Sequence, residues 1–396
     1  MTGKLEKLRA GLESLVVFRS LLKSGPLASL SRLLETGSVR DYCDFVGAVY
    51  GGGFGLSKQL LDAAADDDNI YVRLAARGEP VPEVLRRCVE NELEILGAAA
   101  ALSPAELSGA VRYDGFLPEY ETTELDFPAE YMRRMENLSS KGYGIYARHT
   151  MFVVRDGAIE PVRSPDRVEI SGLIGYSRQR RQVVDNTRAL LRGLPALNVL
   201  LYGDAGTGKS TTVKAVTNQF AGEGLRLVEM RKDQLCELPG VMAELSENPL
   251  KFIIFIDDLS FSADDDSFGT LKAILEGSGS ARAGNTAIYA TSNRRHLVRE
   301  SFSARDGDEV HRRDTIQEQA SLSERFGLTV LYSAPNKTEY LEIVRGLAER
   351  KAIKLPVEEL ESGAEAFALE KGGRSARCAE QYTNRLLAEQ NQKELE

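Results

Sequence analysis

The stretch Asn198-Val199-Leu200-Leu201-Tyr202-Gly203-Asp204-Ala205-Gly206-Thr207-Gly208-Lys209-Ser210-Thr211 decides how this chain is read. A short apolar run ends in G-x-x-x-x-G-K-S, and a helix-like pattern continues from it to Phe220. Strand, glycine-rich turn and helix in that order are the setting in which this motif cradles phosphate. The glycines let successive backbone N–H groups turn inward, and the helix presents the positive end of its dipole. Gly203, Asp204, Ala205, Gly206, Thr207, Gly208, Lys209, Ser210 and Thr211 are therefore candidate phosphate-binding residues. Lys209 would reach the β and γ phosphates, and the Ser210 hydroxyl would ligate Mg²⁺.

Working outward, Lys251-Phe252-Ile253-Ile254-Phe255-Ile256 runs into Asp257-Asp258, a carboxylate pair at the end of a buried strand. Asp257 suits Mg²⁺, directly or through water, because hard cations prefer oxygen ligands. Asp258 is placed to orient or deprotonate an attacking water. Thr286 to Thr291 reads as a third strand, and Ser292-Asn293 at its end puts an amide within reach of a γ-phosphate or water. Ser323-Glu324-Arg325-Phe326-Gly327 precedes a further strand, Leu328 to Tyr332, and Gly373-Arg374-Ser375-Ala376-Arg377-Cys378-Ala379 opens a helix. Short apolar strands alternating with helical patterns predict a parallel α/β sheet.

In this order the parts resemble the AAA+ ATPase superfamily. Gly203–Thr211 looks like its Walker A motif, Ile253–Asp258 like Walker B and Asn293 like sensor 1. Arg325 is similar to the arginine finger that reaches a neighbouring subunit's ATP, and Arg377 to the sensor 2 arginine of the lid. Arg374 competes for that second place, and helix phase together with the Arg-x-Ala run favours Arg377. Leu173-Ile174-Gly175-Tyr176 resembles the segment that holds adenine, which makes Ile174 and Gly175 candidate nucleotide contacts. More narrowly, Ala290–Leu297 and Ser321–Gly327 resemble a bacterial AAA+ family catalogued only as a domain of unknown function. The wider superfamily usually has Glu where this chain has Asp258. The narrower family shares the Asp-Asp pair, and the shorter side chain leaves slow turnover open.

The resemblance implies a P-loop NTPase (AAA+) core with a parallel sheet and a small C-terminal helical lid. Before the core comes a mainly helical N-terminal domain with a β-hairpin. The expected boundaries are 1–135 for the helical domain, 136–165 for hairpin and linker, 166–335 for the core and 336–396 for the lid. ATP and Mg²⁺ are the implied cofactors. A finger acting in trans implies a homo-oligomer, as a ring or spiral. The first functional reading is remodelling of a protein client driven by ATP hydrolysis. A nucleic-acid-associated loader and a slowly hydrolysing, ATP-gated assembly switch are the alternatives.

Upstream of the core, Leu5, Leu8, Leu12, Leu15 and Val16 recur at helix spacing, as do Leu27, Leu30, Leu33 and Leu34. Glu119 to Pro128 is acidic and reads as a linker. Tyr143 to Val154 alternates and is rich in strand formers, and Asp156-Gly157 turns it into Ala158 to Val162, a hairpin pattern. Gly51-Gly52-Gly53-Phe54-Gly55-Leu56-Ser57-Lys58 lacks a preceding strand and reads as an interhelical turn. Asp66-Asp67-Asp68 lacks the spacing of a calcium loop and reads as a polar helix terminus. Arg178, Arg180, Arg181, Arg188 and Arg192 read first as a solvated helix face and second as a nucleic-acid path. The charged segment Ser301 to Gln319 reads as a loop between sensor and finger.

Composition narrows the classes. Fifty Lys plus Arg against 59 Asp plus Glu give a net charge of −9, which disfavours avid sequence-independent nucleic-acid binding. Four cysteines form no C-x-x-C pair, and three histidines are dispersed, which argues against a zinc site and for a reducing cytoplasm. No apolar run approaches the ~20 residues of a membrane span, so no membrane partner is expected.

Overall fold

The computed structural model describes residues 3–260, 266–275, 284–293 and 325–395. The chain divides into two compact units, one of residues 1–148 with 247–250, the other of residues 149–246 with 251–396. Residues 294–297 and 321–324 of the two runs that resemble the narrower family, and the charged segment 301–319, lie outside the described residues.

The first unit is helical. Gly3–Glu13, Gly25–Thr36, Val39–Gly51, Leu56–Ala65, Glu83–Ala100 and Phe127–Glu136 are its longer helices. Leu5, Leu8 and Leu12 from the first and Leu27, Leu30, Leu33 and Leu34 from the second enter one core as their spacing predicts, but the first helix ends at Glu13, so Leu15 is buried from a loop and Val16 is exposed. The Glu92 carboxylate, itself buried, accepts the backbone N–H groups of Val16, Val17 and Phe18 at 2.8–3.1 Å and so ties a loop to the longest helix of the unit. Gly51 to Gly55 is the turn between two helices.

One local expectation is corrected and another is sharpened. The acidic stretch 119–128 is not a loose linker. Tyr120 and Phe127 are buried, Glu121 exchanges backbone hydrogen bonds with Phe54 and Leu56, and Asp126 caps the following helix by accepting from Ala129 N–H. Its aromatic residues outweigh its charges once they have a core to enter. The triplet Asp66 to Asp68 is the polar helix terminus its sequence predicts, Asp66 being the C-cap of the helix Leu56–Ala65, and its charges are held in contacts. Asp66 pairs with Arg134 at 2.7 Å and Arg148 at 3.1 Å, Asp68 with Arg73 at 2.7 Å, and Asp67 accepts from Ser20 and Asn69.

The second unit is built on a seven-stranded sheet. Its strands are β1 (Met151–Arg155), β2 (Ala158–Pro161), β3 (Val199–Gly203), β4 (Leu225–Met230), β5 (Lys251–Ile256), β6 (Thr286–Ser292) and β7 (Leu328–Tyr332). Their spatial order is β2-β1-β4-β5-β6-β3-β7, parallel except for the β1–β2 hairpin. The hairpin turns at Asp156-Gly157 as predicted, but its first strand begins at Met151. Ile145–Arg148 is a helical turn. β1 pairs with β4, so the hairpin extends the sheet rather than standing beside it.

Burial explains the strand sequences. β5 is buried from Phe252 to Ile256 and β3 from Val199 to Leu201, the unbroken apolar runs expected of strands covered on both faces. The chain leaves β3 for β4 on one side and returns from β6 to β7 on the other. β3 is therefore the point where the winding reverses, and ligands of open parallel sheets bind at the carboxyl ends of strands at such a point. Register aligns those ends, with Tyr202 opposite Ser292 and Gly203 opposite Tyr332.

A helical lid follows. Lys337–Arg350, Val357–Glu370 and Ala376–Leu395 close a core of their own around Tyr340, Val344, Leu360, Phe367 and Tyr382. Among the described residues, no helix is long and apolar enough to cross a membrane.

Candidate nucleotide-binding and active site

Four strand ends and the lid meet at one cavity of about 1040 Å³. One end of it is the turn between β3 and the helix Lys209–Phe220. Gly203 adopts φ +130° and Gly208 φ +90°, conformations that side chains rarely tolerate. At Gly203 the reason is also steric, because a Cβ there would lie 2.2 Å from the Tyr332 carbonyl oxygen. Asp204 N–H donates to that same carbonyl at 2.9 Å, and the Asp204 carboxylate accepts Ala334 N–H at 2.6 Å, so β7 holds the loop open. Among the described residues, no backbone amide from 205 to 211 donates a hydrogen bond. A concave run of unspent donors at a helix N-terminus is a ready seat for a polyphosphate.

Lys209 is buried, and its ammonium donates to the carbonyls of Gly203 (3.0 Å) and Asp204 (2.7 Å) and to Asn293 Oδ1 (2.9 Å). Burial pushes its pKa below the ordinary lysine range, against the pull of Asp204, Asp257 and Asp258. Ser210 Oγ donates to Asp257 Oδ1 at 2.6 Å. A hydroxyl and a carboxylate brought together by a helix start and a strand end are the oxygen donors that suit Mg²⁺, which binds few protein ligands and keeps waters. Asp258 follows with φ +52°, and Asn293 Nδ2 donates to its Oδ1 at 2.9 Å. Asn293 thus bridges Lys209 and Asp258.

The lid reaches the loop directly. Arg377 N–H donates to the Gly206 carbonyl at 3.0 Å, and the Arg377 side chain lines the cavity. Arg374 is engaged elsewhere, forked onto Glu365 at 2.7 and 2.8 Å. Arg325 is half-buried, three residues before β7, and does not line the cavity. At the other end Ile174 lines the cavity with Ile343 and Leu347, while Gly175 lies between Ile174 and Tyr176. Tyr176 stacks on Tyr332 with centroids 5.1 Å apart, and its hydroxyl donates to the Ser333 carbonyl at 2.8 Å.

Some lining residues were not singled out from the sequence as site residues. Arg180, read there as part of a solvated face, turns inward, donates to the Gly175 carbonyl and has its pKa lowered by burial. Its neighbours Arg178, Arg181 and Arg188 are exposed. Arg350 from the lid donates to the Gly172 carbonyl and also lines the cavity. Thr291 is buried beside the carboxylate pair. It stands in β6 two residues before Asn293, and nothing in the strand's own sequence says what its hydroxyl will meet.

A family model described as a protein of unknown function, DUF815, matches residues 147–390, which span this sheet and lid. The chain belongs to the DUF815 family. Its matched part is a P-loop α/β core, with the parallel order β4-β5-β6-β3-β7 and the glycine-rich loop after β3 that the resemblance to the AAA+ superfamily implies. Among solved structures, one variant of Thermotoga maritima RuvB is 16% identical with a TM-score of 0.37, over 55% of this chain and 63% of its own. A second variant of the same protein is 15% identical with a TM-score of 0.39, over 55% and 64%. The chain therefore spans less than two thirds of these relatives. No curated protein matches.

Proposed function

We propose that this DUF815 member is an AAA+ ATPase that hydrolyses Mg·ATP in an oligomer and uses the cycle to remodel a protein client. One observation carries the reading. Lys209, Ser210, Asp257, Asp258, Asn293 and Arg377 come from separate elements of core and lid, yet all line one cavity beside unspent loop amides. The loop amides and Lys209 would hold the phosphates, and Ser210 with Asp257 would hold Mg²⁺, which when bound neutralises charge on the phosphoryl oxygens. Asp258 and Asn293 would hold the attacking water. Ile174, Gly175 and the apolar lid residues Ile343 and Leu347 suit a base.

Arg377, which joins the cavity from the lid, would report the nucleotide to it. Arg325 stands outside its own cavity, which suits a finger presented to a second copy, and such fingers are worth about 10³–10⁵ in rate. The ring or spiral, the client and a cytoplasmic location belong to this proposal, and the four free cysteines suit a reducing compartment.

The test is steady-state ATP hydrolysis against protein concentration for the wild type, Arg325→Ala and Lys209→Ala. Activity per chain should rise with concentration in the wild type and collapse in Arg325→Ala while nucleotide binding persists. Lys209→Ala should lose binding. Negligible, concentration-independent turnover with tight binding would remove the motor and leave an ATP-gated switch.

A further inference from the structure

Asp258 stands in the left-handed region at φ +52°, where an L-residue other than glycine stays only if its surroundings hold it. The holder is visible. Asp258 N–H donates to Thr291 Oγ1 at 3.0 Å, and Leu259 N–H donates to the Thr291 carbonyl at 2.7 Å. The same Thr291 hydroxyl spends its only proton on Asp257 Oδ1. One side chain, 2% exposed on β6, therefore grips both members of the carboxylate pair at once.

The consequence for Asp257 is asymmetry. Oδ1 accepts from Thr291, from Ser210 Oγ at 2.6 Å and from Asp258 N–H at 3.2 Å. Among the described residues, no hydrogen bond reaches Oδ2. That oxygen keeps its acceptor capacity unspent, in a residue that lines the cavity, while its twin is tied down.

We propose that Thr291 is the positioning residue of this site. It aims Asp257 Oδ2 at the metal and fixes the backbone from which Asp258 reaches water, and through Asn293, just past the end of the same strand, it links both to the phosphate end. The inference rests on the nucleotide-hydrolysing reading above and adds to it a residue that touches neither substrate nor metal. Partners of this kind hold metal ligands in line and matter nearly as much as the ligands.

The experiment compares full-length wild type, Thr291→Val and Thr291→Ser. It measures ATP turnover, its Mg²⁺ dependence, and binding of a fluorescent ATP analogue without metal. Val keeps the branched shape and removes the hydroxyl. Its kcat should fall about 10–100-fold and its demand for Mg²⁺ rise, with metal-free nucleotide affinity held to within about threefold. Thr291→Ser, which keeps the hydroxyl, should recover most of the rate. If Thr291→Val does not fold, Thr291→Cys and Thr291→Ala carry the same comparison.

Unchanged kcat and Mg²⁺ dependence in Thr291→Val would overturn the inference and leave the ATPase reading standing. So would equal loss of metal-free binding, which would make Thr291 a support of the sheet alone. A wild type that binds no Mg·ATP would overturn both.

Discussion

Replacing Gly203 by alanine should break the joint between the phosphate loop and β7. The added Cβ would lie 2.2 Å from the Tyr332 carbonyl oxygen and 2.7 Å from its carbon, where ordinary contact is 3.4–4 Å. Both partners are backbone. They cannot part freely, because Asp204 N–H is bonded to that carbonyl at 2.9 Å and the Gly203–Tyr332 pair belongs to the β3–β7 ladder. The φ of +130° adds a conformational cost of about 1–3 kcal/mol. Overpacking of a fixed contact adds about 1–3 kcal/mol, for a total of about 2–6 kcal/mol.

For a unit of this size that loss lowers the melting temperature by about 5–20 °C. The assay is calorimetry of the full chain, read on the transition that Mg·ATP shifts upward, since a ligand raises the stability of the unit that binds it. Two controls separate the terms. Gly222→Ala meets no atom within 4 Å at an ordinary φ and should shift stability by less than about 0.5 kcal/mol. Gly208→Ala has φ +90° but no clash and should cost only the conformational part, about 1–2 kcal/mol. If Gly203→Ala melts within about 2 °C of the wild type, the contact with Tyr332 does not constrain the loop and the reasoning fails.

Three other outcomes are expected. Asp258→Asn should reduce turnover by about 10²–10⁴-fold with Mg·ATP affinity nearly unchanged, as loss of a general base does, and single-turnover hydrolysis with parallel binding measurements checks it. Lys209 has its pKa lowered by burial in the free protein, so between that value and the unfolded one the unfolded chain binds more protons and its contribution to stability rises with pH. Bound phosphate restores the charge, so ATP binding at alkaline pH should take up protons. Calorimetry in buffers of different ionisation heat should show that uptake, and Lys209→Arg should lack it. Cys88 has its thiol raised to about 11 by burial and by the Glu92 carboxylate, so at pH 8 it should alkylate far more slowly than exposed Cys43 and Cys236. Peptide mass spectrometry over time checks the order, and equal rates would refute it.

The phosphate loop was legible because its chemistry is local. Glycines at Gly203 and Gly208, Lys209 and Ser210 must follow one another within a single turn of chain, and an apolar strand must lead into them. The Asp257-Asp258 pair and Asn293 were legible for the same reason, as polar residues at the abrupt ends of apolar strands. The hairpin turn at Asp156-Gly157 was legible, but the start of its strand was not, since alternation from Tyr143 is shared by the helical turn that Ile145–Arg148 forms. The acidic stretch 119–128 misled because composition does not reveal which two aromatic residues will find a core.

Arg180 and Thr291 show the other limit. A run of arginines on one helix cannot reveal which guanidinium faces a cavity, because that depends on the lid and on β7 behind it. Thr291 is one more strand residue until β5 and β6 pair and set its hydroxyl against two carboxylates. The sequence by itself determined most strands and helices of the second unit, the glycine-rich loop and the residue types that suit phosphoryl chemistry, because those depend on contacts between near neighbours in the chain. Only the tertiary structure decided which arginine enters the cavity, which oxygen of Asp257 stays free and what holds Asp258 in its strained conformation. Each of those is set by hydrogen bonds and burial between strands and helices far apart in sequence, and their energies exist only once the sheet and lid have closed around them.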